Sequence, residues 1–362
     1  RKHGIKLVLG YTVEGFREKD NGVEILLKDN PSLQADMVVL AIGVTPDTAL
    51  AKEAGLELGI KGSIVVNDRM ETSVPDIYAA GDAVQVKHYV TGDDALISLA
   101  GPANKQGRII ADNICGGDSH YLGSQGSSVI KVFDMTAATT GINETNAKKS
   151  GLEVDTVILS PMSHAGYYPG GKVMTMKVVF EKETYRLLGA QIIGYEGVDK
   201  RIDVLATVIH AGLKATQLKD LDLAYAPPYS SAKDPVNMAG FMIDNIAKGT
   251  LKQWHLEDMD KISKDKNVVL LDVRTVGEFN RGHMKGFNNI PVDELRERIS
   301  EIEKGKPVYL ICQSGLRSYI ASRILEGNGY ETYNFSGGFR FYDTVVNDRA
   351  LIERAYACGM DY

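Results

Sequence analysis

The 362-residue chain holds only three cysteines, Cys115, Cys312 and Cys358, an odd number with no framework spacing. That excludes a disulfide-stapled extracellular scaffold and suits a reducing cytoplasm, where a thiol is either reactive or simply buried. Long apolar runs are also missing. The longest, such as Met37 to Ile42 and Val268 to Leu271, fall far short of the roughly 20 residues a membrane helix needs. Charge of one sign is absent as well, since Lys+Arg 41 against Asp+Glu 47 leaves a net charge of -6. Such a balance offers no field for holding a polyanion, so neither nucleic acid nor a membrane is an expected partner. The seven histidines show no paired spacing with cysteines or carboxylates, so no metal site is expected. No internal repeat or low-complexity tract breaks the chain.

What is present is enough for two or three globular domains, with 44% hydrophobic residues. The chain opens on Arg1, and Arg1 to Gly10 already reads as the interior of a domain. A fragment lacking its natural N-terminal half is therefore expected. Strands are predicted over Ile5 to Leu9, Thr12 to Phe16, Val23 to Lys28, Met37 to Ile42, Ile64 to Val66 and Ile77 to Ala80. A helix follows from near Pro102 to Cys115, with Gly116 and Gly117 as its stop.

From Ser127 the texture changes. A strand over Val129 to Phe133, a helix from Asn143 to Gly151 and a three-strand run (Val154 to Leu159, Val173 to Glu181, Arg186 to Ile193) precede helices at Val198 to Ala211 and Pro235 to Lys248. The last two strands share a hairpin at Lys182 to Tyr185. Gly249 to His255 reads as a linker. Beyond it strands and helices alternate: Val268 to Asp272, helix Val276 to Arg281, helix Leu295 to Lys304, strand Pro307 to Ile311, helix Arg317 to Gly327 and a strand near Tyr333. That order is a small parallel α/β domain.

The strongest chemical signal is Cys312-Gln313-Ser314-Gly315-Leu316-Arg317-Ser318, between an apolar strand and an amphipathic helix. A thiol there sits in a cradle of backbone N–H groups at a positive helix end, which suits an anionic thiolate or persulfide. Gly315 permits the loop's unusual backbone angles, and Arg317 is expected to add fixed positive charge. The bland alternative is a cysteine that only packs at a strand end, but such a loop is costly unless it binds something. Together with Leu271-Asp272-Val273-Arg274, Gly282-His283-Met284, Ile290-Pro291 and Ser336-Gly337-Gly338-Phe339, the loop resembles the single-domain rhodanese family over about residues 255 to 345. With four residues between Cys312 and Arg317, it matches the sulfur-binding size rather than that of the related phosphatases. The resemblance implies Cys312 as sulfur-carrying nucleophile, with Asp272, Arg274 and His283 as scaffold.

A second signal is Thr72-Ser73-Val74-Pro75-Asp76-Ile77-Tyr78-Ala79-Ala80-Gly81-Asp82-Ala83. Small residues and Gly81 let a ligand approach the backbone, where Asp82 can accept hydrogen bonds from hydroxyls; the alternative is a capped turn. The string resembles the FAD-binding segment of the flavoprotein disulfide reductases, and Val39-Leu40-Ala41-Ile42-Gly43 with Pro46 resembles the turn closing their nicotinamide nucleotide domain. The likeness implies Gly43, Gly81, Asp82, Ala100 and Ala103 as cofactor-binding positions, with the helix near Pro102 aimed at the flavin. No Gly-x-Gly-x-x-Gly stands in the chain, and none of the three cysteines matches that family's redox cysteine.

The third signal is aromatic, His164-Ala165-Gly166-Tyr167-Tyr168-Pro169 and Ala224-Tyr225-Ala226-Pro227-Pro228-Tyr229. Ordinary loop packing accounts for such residues as readily as function does. The loops resemble the dimerisation domain of the coenzyme A disulfide reductase and NADH oxidase group, which implies a homodimer with Tyr167 and Tyr225 reaching the partner subunit's active site.

In sum the expected class is multidomain α/β and α+β: a partial FAD/NAD(P)-binding Rossmann-like region at 1–122, an α+β dimerisation domain at 123–250 and a rhodanese α/β domain at 255–362. The resemblance to the fusions of coenzyme A disulfide reductase with rhodanese implies FAD, NAD(P)H and coenzyme A, and reduction of disulfides, persulfides or polysulfide coupled to sulfur transfer through Cys312. Two alternatives stand beside it, an NADH oxidase or peroxidase with a rhodanese tail and a non-redox sulfur-carrier module.

Overall fold

The computed structural model describes residues 3–347, so Cys358 lies outside the described residues. Two compact units divide the described residues between Thr45 and Pro46, the first also taking in residues 343–347. In the first unit, β1 (Val13–Lys19), β2 (Gly22–Leu27) and β3 (Asn30–Ala35) form an antiparallel sheet in that order. Ile5 to Leu9 and Met37 to Ile42, read as strands from their apolar runs, form none. Val39 is 76% and Ile42 90% exposed. An apolar run becomes a buried strand only where a neighbour completes its ladder, and among the described residues none pairs with either segment.

The second unit begins with α1 (Ala49–Glu53), short paired strands β4 (Val86–Lys87) and β5 (Asp94–Ala95), and α2 (Ala100–Ile114). Met70, Val84 and Val86 are the core of this stretch, with Ile64, Val66, Ile109 and Tyr121 packed around them. The strands expected at Ile64 to Val66 and Ile77 to Ala80 are reduced to isolated bridges, Ile64 to Leu58 and Val84, and Tyr78 to Glu71. α2 stops at Ile114, just before Gly116 and Gly117 as expected, with Gly116 at a positive φ of 85°.

The next five strands, β6 (Ser128–Val132), β7 (Met135–Gly141), β8 (Val154–Leu159), β9 (Thr175–Glu181) and β10 (Leu187–Gly194), form one antiparallel sheet in the order β6-β7-β10-β9-β8. β7 was not legible in the sequence: Met-Thr-Ala-Ala-Thr-Thr-Gly has no apolar alternation, and pairing to β6 and β10 makes it a strand. Helices α3 (Glu144–Lys149), α4 (Val198–His210) and α5 (Pro235–Ala247) accompany the sheet. Val198, Ile202, Leu205, Val208 and Ile209 recur at helical spacing on α4 and are buried against β7 and β10. Each such side chain contributes about 1.5–3 kcal/mol relative to an exposed one.

The last region is a parallel sheet in the order β11-β15-β14-β12-β13. Its strands are β11 (Gln253–Trp254), β12 (Val269–Asp272), β13 (Asn288–Asn289), β14 (Val308–Ile311) and β15 (Thr332–Phe335), with helices α6 (Met259–Ile262), α7 (Val276–Arg281) and α8 (Leu316–Glu326). The supposed linker supplies β11, an edge strand whose Trp254 is buried on Phe335 and Phe287. The helix expected over Leu295 to Lys304 is instead a run of turns with one 3-10 turn, Ile299–Glu301. Leu295 and Ile302 are buried there and Ile299 packs on the same core, so the turns place the apolar residues inward without a regular helix. Among the described residues no helix is long and apolar enough to cross a membrane.

Candidate active site around Cys312

β14 ends at Ile311 and α8 starts at Leu316, so Cys312 stands at the carboxyl end of a central parallel strand. Its side chain is 1% exposed, and its Sγ accepts the Gly315 N–H at 3.1 Å and the Ser318 hydroxyl at 3.2 Å. Gly315, at φ 101°, caps α8 in the left-handed region and turns its N–H inward. Ser318 has one proton and a second acceptor, the Gly315 carbonyl at 3.1 Å. Charge on sulfur therefore draws that proton from the carbonyl to Sγ. Gln313 and Arg317 are half-buried, and Ser314 and Leu316 point outward, Leu316 being 63% exposed.

The loop is held from behind by the Ser336-Gly337-Gly338-Phe339 turn. Phe339 donates its N–H to the Cys312 carbonyl at 2.8 Å and Arg340 to that of Gln313 at 3.2 Å. A Cβ on Gly338 would lie 2.7 Å from the Gln313 carbonyl oxygen and from the Ser314 backbone, at a φ of 70°. Gly338→Ala is therefore expected to displace the loop and cut sulfur transfer about 10-fold or more, since a misplacement near 1 Å can cost 10²-fold. Steady-state assay beside a thermal melt checks it, and unchanged turnover would show that the turn does not set the loop. Ser336, 3% exposed, also accepts the Ile158 N–H of β8 at 3.0 Å. A strand of the antiparallel sheet thus abuts the element that supports Cys312, and sequence had no signal for it.

Arg317 has a partner that the sequence reading did not identify. Its Nη1 and Nη2 donate to Glu278 Oε2 and Oε1 of α7 at 2.7 and 2.8 Å, a two-bonded pair. The Arg317 guanidinium, more than the opposing burial, holds the Glu278 carboxyl down to about 2. Glu278 in turn raises Arg317 above its ordinary value. Arg317 is therefore held in place, with its positive charge already paired to a carboxylate. Glu278 also closes a capping box with Thr275, so Thr275-x-x-Glu278 was the sequence signal that marked it. Arg274 is likewise tied to Asp272, with 2.7 Å between Nη2 and Oδ2, and lies 3.8 Å over the Phe339 ring. His283 stacks on Phe279 at 3.9 Å, a scaffold placement.

The two tyrosine loops converge. Tyr167 and Tyr225 share a hydrogen bond between their hydroxyls at 2.7 Å while remaining 77% and 45% exposed. That bond, ahead of burial, raises the Tyr225 phenol above its ordinary range. Beside it lies a cavity of about 450 Å³ lined by His164, Glu196, Lys200, Tyr225 and Tyr229. Arg201, 1% exposed, holds the loops from beneath: Nη2 donates to the Ser163 carbonyl at 3.0 Å, the Tyr229 carbonyl at 3.3 Å and Asp234 Oδ2 at 2.9 Å.

Gly81 takes a φ of 86°, donates its N–H to Gln106 Oε1 at 2.7 Å, and packs so that a Cβ there would meet Ala103 at 3.9 Å. Ala100 opens α2, whose first turn has no side-chain cap and no acidic residue. Asp82 is exposed, with no hydrogen bond or ion pair among the described residues. A hydroxyl-bearing, electron-rich group fits between a free carboxylate and uncapped N–H donors. Gly43 lies in the other unit, at φ 100° with nothing within 4 Å of a Cβ. Cys115 is exposed just after α2.

Comparison with known proteins matches the pyridine nucleotide-disulphide oxidoreductase family model to residues 1–107, its dimerisation domain to 127–235 and the rhodanese-like domain to 255–343. An NAD(P)H sulfur oxidoreductase (CoA-dependent) of Pyrococcus abyssi is 38% identical over 235 residues, 65% of this chain and 52% of the relative. The structure of reduced Bacillus anthracis CoADR-RHD superimposes with a TM-score of 0.92 at 46% identity, over 96% of this chain and 62% of that one. An NAD-dependent persulfide reductase from A. fulgidus gives 0.86 at 40% identity, over 94% and 62%. The chain thus spans about half the length of the curated relatives it matches.

Proposed function

We propose that this chain, a pyridine nucleotide-disulphide oxidoreductase segment joined to a rhodanese-like domain, serves an enzyme that reduces coenzyme A disulfide, persulfides or polysulfide with NAD(P)H and FAD and carries sulfane sulfur on Cys312. The observation that carries the reading is the buried Cys312 Sγ, bonded by the Gly315 N–H and the Ser318 hydroxyl. The division of labour is residues 1–122 for cofactors, 123–250 for dimerisation and 255–362 for sulfur. The setting is cytoplasmic, which suits the unpaired thiols of Cys115 and Cys312.

Sulfur loading needs only the loop. The Cys312 thiolate attacks the outer sulfur of a persulfide, the donor's S–S bond breaks, and its thiolate departs with the electron pair. The new terminal sulfur then lies against Gly315 and Ser318, which hold its charge. Incubating the chain with a small-molecule persulfide and measuring intact mass tests this; a chain that never gains one sulfur atom sinks it.

On the reductive side, Gly81, Asp82, Ala100 and Ala103 are the positions for FAD and Gly43 one for the nicotinamide nucleotide. FAD supplies hydride relay when bound. Asp82 would hold hydroxyls, and the α2 N-terminus would face the flavin ring. A homodimer is favoured by β6, an edge strand whose Val129, Ile130 and Val132 are 58%, 60% and 50% exposed, a row of bare apolar side chains beside an unpaired ladder.

Tyr167 and Tyr225 would stand beside the partner subunit's redox centre, where a phenol donates a hydrogen bond to the departing thiolate. Because each hydroxyl engages the other, removing one should disturb both. Tyr167→Phe in the complete enzyme is expected to slow reductive cleavage by about 10²-fold with flavin reduction by NADH unchanged. It should also lower the ionisation of Tyr225 toward its ordinary range, read as phenolate absorbance appearing at lower pH. Unchanged turnover in Tyr167→Phe and Tyr225→Phe would return the pair to loop packing.

A further inference from the structure

Two guanidiniums beside the sulfur loop are each paired with a carboxylate. Arg317 is spent on Glu278 through two hydrogen bonds, and Arg274 on Asp272 through Nε and Nη2. What faces a sulfur on Cys312 is a neutral cradle, the Gly315 N–H and the Ser318 hydroxyl at the head of α8. Such a cradle stabilises one negative sulfur. It offers little to a donor that arrives with two charges and leaves with two.

We propose that Glu278 is the donor-specificity residue of this site: by holding Arg317 in a closed pair, it biases the loop toward sulfane sulfur from organic persulfides and against dianionic thiosulfate. The inference rests on the sulfur-carrier reading of Cys312 and names its substrate class. Glu278 touches no reacting atom, so its role is one of positioning. Being ionised at every working pH, it keeps the pair closed throughout.

The two reactions make the same S–S exchange but differ in leaving group and, most of all, in charge. With a persulfide, the Cys312 thiolate and R–S–SH give Cys312–S–SH and R–S⁻. One S–S bond forms, one breaks, the proton stays on the transferred sulfur, and no net oxidation occurs. With thiosulfate, the thiolate and S–SO₃²⁻ give Cys312–S–S⁻ and SO₃²⁻, so three negative charges crowd the loop before and after transfer. An uncompensated cation lowers the second path far more than the first.

A graded charge series in the full chain tests the idea, with thiosulfate and glutathione persulfide as donors and cyanide as acceptor. Glu278→Gln keeps a side chain that can close the α7 cap and adds one net positive charge at the loop. It should raise kcat/KM for thiosulfate about 10-fold and move the persulfide value by no more than about 2-fold. Glu278→Gln/Arg317→Gln restores the wild-type charge and should return thiosulfate to near the wild-type value. Arg317→Gln removes one charge and should depress thiosulfate selectively. If Glu278→Gln fails to fold, the comparison of Arg317→Gln with the wild type still reads one charge step. Equal changes for both donors, or a thiosulfate gain that survives in the double variant, would overturn the proposal while leaving Cys312 as carrier. Failure of the wild type to load sulfur from either donor would overturn the carrier reading itself.

Discussion

Cys312→Ser is expected to leave this chain unable to take up sulfur: turnover with any sulfane donor should fall by at least about 10³-fold and no persulfide mass should appear, because a serine hydroxyl is a far weaker nucleophile than a thiolate. The fold should survive. Cys312 is 1% exposed, and the exchange of sulfur for oxygen keeps an acceptor for Gly315 N–H and Ser318. Cys115→Ser is the matching control, since that thiol is exposed beyond α2 and far in sequence from any such loop. Cys358→Ser is a second control, at a position outside the described residues. Intact-mass spectrometry after exposure to a persulfide, beside a steady-state assay, decides the matter. Activity persisting in Cys312→Ser and lost in either control would move the carrier to another cysteine.

Arg201→Ala is expected to destabilise the chain by about 3–5 kcal/mol, the range for breaking a buried ion pair by removing one partner. Arg201 and Asp234 are 1% and 3% exposed, with 2.9 Å between Nη2 and Oδ2. The guanidinium also satisfies the carbonyls of Gly197, Ser163 and Tyr229, so truncation strands three acceptors as well as a carboxylate. Thermal or urea melts give the size of the effect.

The pH dependence gives its cause. Burial pushes the Asp234 carboxyl up, but the Ser230 hydroxyl, the Val236 N–H and Arg201 outweigh it and leave the carboxyl below its ordinary value. A carboxyl lowered on folding lends stability that is present above its unfolded value and lost as pH falls through the folded one. Without Arg201 that lowering shrinks, so the gap between wild type and variant should narrow from neutral pH toward about pH 3. A gap that stays constant over that range would mean the loss comes from packing alone. Arg201→Met/Asp234→Asn should recover part of the loss, because no buried charge remains unpaired.

Loops whose chemistry is written in consecutive residues were legible. Cys312 to Ser318, flanked by an apolar strand and an amphipathic helix, folded as the motif implied, and Val154–Leu159 and Val276–Arg281 fell where the sequence pattern put them. Elements decided by partners were not. β7 and β11 are strands only because β6, β10 and β15 lie beside them, whereas Met37 to Ile42, apolar enough for a strand, pairs with nothing among the described residues.

The same line runs through the site. Sequence by itself marked Cys312 as the candidate nucleophile and determined the length of its loop and the left-handed glycine at its turn, because these depend on neighbours in the chain. The tertiary structure alone decided the charge around them. Glu278 is 39 residues from Arg317, Ile158 is 178 from Ser336, Tyr167 is 58 from Tyr225 and Arg201 is 33 from Asp234. A side chain's charge is visible in a sequence, but whether it is free or cancelled depends on which distant group comes within hydrogen-bond reach, and only packing brings those groups together.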